Sequence, residues 1–94
     1  MMVEKIGRAA MLELLAEESA ELAQAALKMA RIMRGENPTP VTRMQAEKNL
    51  IEEYTDVRLC AKDLGIRKDS AMAREKLQRF LRRWGEKEKL VDGK

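Results

Sequence analysis

No histidine occurs in the 94 residues, and Cys60 is the single cysteine. The first absence removes Ser-His-Asp and Cys-His nucleophilic sites and every His-ligated zinc site. The second leaves no disulfide within the chain and makes Cys60 a small core residue of a reducing compartment. Any catalysis must therefore run through carboxylates, which act on substrates most readily with a hard cation such as magnesium or manganese. Aromatics are scarce, with only Tyr54, Phe80 and Trp84. No apolar run reaches the length of a membrane span, and the stretch from Met1 to Arg8 lacks a signal-peptide core. These absences predict a cytoplasmic chain with no membrane partner.

What remains is rich in Ala, Leu, Met, Glu, Lys and Arg, all strong helix formers. The composition predicts an all-α fold, an antiparallel bundle of about three helices in one domain spanning 1–94. A core built from Ala and the seven Met residues is thin, so homo-oligomerisation is expected to complete it. Formal net charge is +3, with most of the surplus between Arg67 and Lys89. That excess is modest, and nucleic acid is not the expected partner.

Pro, Gly and capping residues divide the chain. The first helical stretch runs from Val3 to Arg34, with Gly7 as a possible break that moves the regular start to Arg8. Gly35 and the turn-rich Glu36-Asn37-Pro38-Thr39-Pro40 end it. The second helix begins between Thr39 and Thr42. Thr39 with Pro40 suits an N-cap followed by proline, and Thr42 with Gln45 suits a capping box. It runs to Leu64 and stops at Gly65. Asp69 or Ser70 caps a third helix that reaches Trp84 or passes Gly85, with Met72, Ala73, Leu77, Phe80, Leu81 and Trp84 at helical spacing. The expected core is 8–84, with 85–94 a loose tail.

Two carboxylate pairs stand where apolar residues belong. At about 100° per residue from Leu14, the apolar stripe of the first helix holds Ala25, Met11, Met29, Leu22 and Leu15 between about 20° and 100°. Glu18 falls inside it at about 40°, and Glu21 on its rim at about 340°. In the second helix Leu50, Ile51, Tyr54, Val57, Cys60, Ala61 and Leu64 form the arc, with Glu53 inside and Asp56 at its border. Buried carboxylates gathered together repel one another and take up protons unless a cation neutralises them. Residues three apart on a helix are neighbours, so two such pairs on antiparallel helices can converge on one or two ions. Glu-x-x-Glu is ordinarily a solvated face, and salt bridges from a partner helix would also account for Glu18 and Glu53. Two pairs on consecutive helices, both leaning into apolar stripes, favour a metal site.

With these residues the sequence resembles the MazG-like all-α nucleoside triphosphate pyrophosphohydrolases. Their signature, Glu-Glu-x-x-Glu followed after a gap by Glu-x-x-Asp, reads here Glu17-Glu18-Ser19-Ala20-Glu21 and Glu53-Tyr54-Thr55-Asp56. The flanks agree as well, with Leu14-Leu15 before the first block and Ala25-Ala26-Leu27-Lys28 after it. The resemblance covers roughly Leu12 to Leu64. It implies Mg²⁺, with Mn²⁺ as substitute, held by Glu18, Glu21, Glu53 and Asp56. It also implies hydrolysis of a (deoxy)nucleoside triphosphate to monophosphate and pyrophosphate, in a house-cleaning role on the nucleotide pool.

Glu17, or an oxygen of the cluster not engaged by metal, would orient the attacking water. Lys28, about 20° from Glu21 on the wheel, would reach substrate phosphate; so would Lys76 and Arg79, which resemble the basic segment that follows the second acidic block in these enzymes. Trp84 and Tyr54 are expected in the core rather than stacked on a base. A homodimer or homotetramer is implied. Two alternatives remain: a MazG-like module that binds nucleotide or metal with little turnover, and a helical nucleic-acid or protein adaptor using the basic third helix.

Overall fold

The computed structural model describes residues 1–36 and 41–92, with side chains described through Gly85. Four helices occur in order, and there is no strand among the described residues: α1 (Met2–Ile6), α2 (Arg8–Arg34), α3 (Arg43–Asp63) and α4 (Ser70–Asp92). The all-α expectation holds. The count is four rather than three because Gly7 splits the first stretch. Its φ of 89° and ψ of 158° lie where a side chain is disfavoured, so the backbone turns there and α2 starts afresh.

The helix ends follow the local chemistry. At the end of α2, the Gly35 N–H donates to Ile32 and the Glu36 N–H to Arg31. The end of α3 repeats this pattern, with Gly65 donating to Lys62 and Ile66 to Ala61. Both are Schellman closures around a left-handed glycine. At the start of α3, the Gln45 N–H donates to Thr42 Oγ1 at 3.1 Å, and the Thr42 N–H to Gln45 Oε1 at 3.0 Å. Of the two proposed starts Thr42 is therefore the cap; Thr39 and Pro40 lie outside the described residues. Asp69 caps α4 by accepting the Met72 N–H on Oδ1 at 2.9 Å. α4 then passes Gly85 and continues to Asp92, beyond the point at which a loose tail was expected. A single interior glycine costs a helix only about 1 kcal/mol relative to alanine. Lys94 and Gly93 lie outside the described residues.

α2 and α3 pack antiparallel, the start of α2 beside the end of α3 in the group of Met11, Cys60 and Leu64, and α1 contacts α2. The Val3 N–H donates to Asp63 Oδ2 at 2.7 Å, and Arg8 Nη1 donates to the Leu64 carbonyl at 2.9 Å. These bonds tie the chain's start to the end of α3. The core is small: Met11, Ala25, Ala46, Cys60 and Leu64 are buried. Met11, Cys60 and Leu64 cluster, with Val3, Leu14 and Leu15 packed around them. Cys60 is thus the small core residue that was expected.

The sequence arcs overstate burial in one chain. Ile51 and Tyr54 are exposed, as are Met72, Leu77, Phe80, Leu81 and Trp84 along α4. For Tyr54 and Trp84 this corrects the expected core placement. The cause is architectural: α3 buries only the part of its arc that faces α2, and α4 has no packed interface of comparable extent with any other helix. The chain is correspondingly open, with a radius of gyration of 17.7 Å against about 12 Å for a compact domain of this length. No helix among the described residues is long and apolar enough to cross a membrane.

Candidate functional site

The antiparallel pairing of α2 and α3 sets the middle of one helix against the middle of the other. The acidic pairs of both helices meet there. One carboxylate oxygen each from Glu18, Glu53 and Asp56 lie within 4.8 Å of one another. Glu21 stands beside them: it shares a cavity wall with Glu53, and its charge acts on both Glu18 and Glu53. Three of the four carboxylates singled out in the sequence are thus grouped, one from α2 and two from α3. Glu18 and Glu53 are half-buried, whereas Glu21 and Asp56 stand at the exposed edge.

Proton affinities record the crowding. Partial burial raises the Glu18 carboxyl above its ordinary value, and the charges of Glu21, Asp56 and Glu17 add to the rise. Glu53 is raised first by partial burial, then by its hydrogen bond with Glu21 and by the charges of Glu21, Asp56 and Glu18. Like charges gathered so closely favour the protonated form, and a cation would oppose that tendency. The thiol of Cys60 is also pushed up, by burial and then by Glu18, Asp56 and Asp63.

One atom stands out. Glu53 Oε2 is shielded from solvent and has no hydrogen-bond partner. A carboxylate oxygen left so bears its desolvation cost without compensation, unless a proton or cation supplies it. The donor set is all oxygen and negatively charged, which suits magnesium or manganese and no soft metal. Oxygens around a magnesium ion held at about 2.1 Å lie roughly 3–4 Å apart. The observed grouping needs only a small side-chain adjustment to match that spacing. The residues present fit the cation that the sequence pattern implies.

Beside the cluster lies a cavity of about 360 Å³ lined by Glu21, Gln24, Ala25, Lys28, Asn49 and Glu53. Lys28 thus opens onto the same space as two of the carboxylates, as its place on the wheel suggested. Gln24 and Asn49 belong to no motif. The signal for them was positional: Gln24 follows Glu21 by three residues, and Asn49 precedes Glu53 by four, one turn along the same faces. A larger cavity of about 850 Å³ at the far end of α3, among Arg58, Leu59, Lys62, Ile66 and Arg67, contains no carboxylate and lies away from this chemistry.

Other expected residues are placed differently. Glu17 is exposed, and its charge acts on Glu18. Lys76 and Arg79 stand on α4, which no packed interface holds against the hairpin, so one chain does not bring them to the carboxylates. Arg79 instead pairs with Glu75 at 3.6 Å on the same helix. Tyr54 lies under Arg58, whose Nη1 donates to its hydroxyl at 3.1 Å. Comparison of the chain with protein-family models, curated proteins and solved structures found no match.

Proposed function

We propose that this protein is a magnesium-dependent nucleoside triphosphate pyrophosphohydrolase of the MazG-like kind, working as a homo-oligomer on soluble nucleotides. The observation that carries the reading is the grouping of Glu18, Glu53 and Asp56, with Glu21 acting on it through its charge and one Glu53 oxygen left without a partner. Apolar residues at positions 18 and 53 would serve the hairpin better. Four carboxylates there are explained by a ligand that needs them.

In this reading the four carboxylates hold magnesium, with manganese as substitute. The cation, when bound, neutralises phosphate charge and makes a water molecule acidic enough to attack phosphorus. The protein's own groups do the rest. Lys28 holds phosphate oxygens along the cavity it shares with Glu21 and Glu53. Glu17, on the solvent side of Glu18, accepts the proton that the water gives up. The new bond joins water oxygen to the α-phosphorus, the α–β anhydride bond breaks, and pyrophosphate leaves with the electron pair. Half-burial of Glu18 and Glu53 keeps bulk water from competing for the ligand oxygens.

The test is pyrophosphate release from a panel of nucleoside triphosphates, with magnesium and with chelator, for the wild type and Glu53→Gln. Release that needs magnesium and falls at least a hundredfold in the variant supports the reading. Binding of nucleotide with no release identifies the weakly catalytic module instead. A second reading has its own observation: α4 projects an apolar stripe and a basic surface away from the hairpin. If every triphosphate survives and Glu53→Gln behaves as wild type, that helix makes the protein an adaptor. Its binding should then weaken steeply with salt and ignore chelators.

A further inference from the structure

We propose that Gln24, Lys28 and Asn49 form a subsite for the β- and γ-phosphates, so that the cavity beside the carboxylates measures the length of a phosphate chain rather than reading a base. The inference rests on the pyrophosphohydrolase reading and assigns it a substrate-binding wall.

The lining of the cavity decides which part of a nucleotide it takes. It offers Glu21, Gln24, Lys28, Asn49 and Glu53, with Ala25 as its one apolar residue. A base is held by aromatic or broad apolar walls, with polar groups at its edges. Nothing in this lining stacks. A polyphosphate needs donors, and the lining supplies three side chains that donate. Lys28 is half-buried and makes no ion pair among the described residues. The carboxamides of Gln24 and Asn49 donate N–H without adding charge of either sign. They therefore tolerate the neighbouring carboxylates while offering hydrogen bonds to phosphate oxygens.

Direction along the groove agrees. From Glu21 to Lys28 is seven residues, about 10 Å of helix, longer than one phosphate group needs. Side chains on a helix lean toward its N-terminus, so the Lys28 ammonium reaches back toward the carboxylates. Gln24 stands between, and Asn49 faces it from one turn before Glu53. A phosphate chain starting at the carboxylates passes the two carboxamides and ends at the ammonium. The nucleoside then leaves the cluster by the Asp56 side. A nucleoside diphosphate would leave Lys28 without its phosphate, so triphosphates are preferred.

Calorimetry with inorganic tripolyphosphate in magnesium tests this on wild type, Lys28→Met, Lys28→Arg, Gln24→Ala and Asn49→Ala, with magnesium binding measured separately in each. Lys28→Met and Asn49→Ala should each weaken tripolyphosphate about tenfold, the scale of a lost hydrogen bond to a charged group. Gln24→Ala should weaken it less, Lys28→Arg should restore most of the loss, and magnesium affinity should stay within about twofold. Unchanged tripolyphosphate affinity in Lys28→Met and Asn49→Ala overturns the subsite, as does a loss matched by magnesium affinity. Should the wild type hydrolyse triphosphates while these variants keep tripolyphosphate, the subsite fails and the enzyme reading stands. A wild type that binds no magnesium removes the enzyme reading and the subsite together.

Discussion

Self-association is the prediction with the largest lever on this structure. A single chain exposes 8112 Å², whereas a compact protein of this mass exposes about 5,500 Å². The excess is about 2,600 Å² per chain, so a dimer hiding all of it would bury about 5,200 Å², at the upper end of obligate homodimer interfaces. Much of it is apolar: Ile51 and Tyr54 on the hairpin, and Leu77, Phe80, Leu81 and Trp84 along α4. The perturbation is Leu77→Asp, at the centre of the α4 stripe. Burying a leucine side chain is worth about 1.5–3 kcal/mol, and a two-fold assembly loses it twice. The dimer dissociation constant should rise by at least a factor of about 10² to 10⁴, since every 1.4 kcal/mol is tenfold. Sedimentation across a dilution series reads the constant. Emission from Trp84, the one tryptophan, reads its burial. A wild type that stays monomeric at high micromolar concentration with solvent-exposed tryptophan emission would refute the reasoning, as would Leu77→Asp assembling like wild type.

Three further outcomes are expected. The carboxyls of Glu18 and Glu53 bind protons more tightly folded than unfolded, so their contribution to stability is full below the ordinary value of 4.5 and is lost as pH rises through the raised range. Thermal melts in chelator should show this loss as pH rises above 4.5, with a shallower slope in Glu53→Gln; identical slopes would remove the crowding argument. Magnesium at a hundred times its dissociation constant should add about 2.7 kcal/mol, raising the midpoint by roughly 10–20 °C for a domain of this size. Calcium or manganese should partly substitute, and potassium should not. Met11→Ala should cost about 2–5 kcal/mol in denaturant unfolding, because Met11 is only 1% exposed and anchors the largest buried cluster; a loss under 1 kcal/mol would mean that the cluster collapses around the gap.

Local chemistry made much of the fold readable. Gly35 and Gly65 end helices by supplying left-handed caps, Thr42 with Gln45 starts one, and the short connection between α2 and α3 makes them antiparallel neighbours. The convergence of the carboxylates followed from those facts and the helical period. Other features depended on information that a wheel does not contain. The stripe on α4 says that Leu77, Phe80 and Trp84 want cover, but periodicity does not say against what, and within one chain they find none. For the same reason Lys76 and Arg79 are not delivered to the site by their own chain. Tyr54 and Ile51 lie on the true apolar arc of α3 and are nonetheless exposed, because one neighbouring helix covers only part of an arc. Gln24 and Asn49 resembled any polar residue on a charged surface until the cavity between the two helices had walls.

The thin core and the acidic cluster are one physical problem rather than two. Small domains have little stability in reserve, roughly 5–14 kcal/mol for 94 residues. This chain uses four positions along the most extensive helix pairing among the described residues for groups that repel one another. Pairing each with an arginine would have removed the repulsion, yet no ion pair among the described residues involves any of the four. Neutral residues of similar size would have removed it as well. What the arrangement preserves is a set of unpaired oxygens, one of them hidden from water, held where two helices fix their spacing. Such a set binds a cation more tightly than the same carboxylates on a flexible surface, because folding has already met the cost of bringing them together. On the proposed reading, a bound cation would return stability that the metal-free chain gives up, and assembly of further copies would add to it.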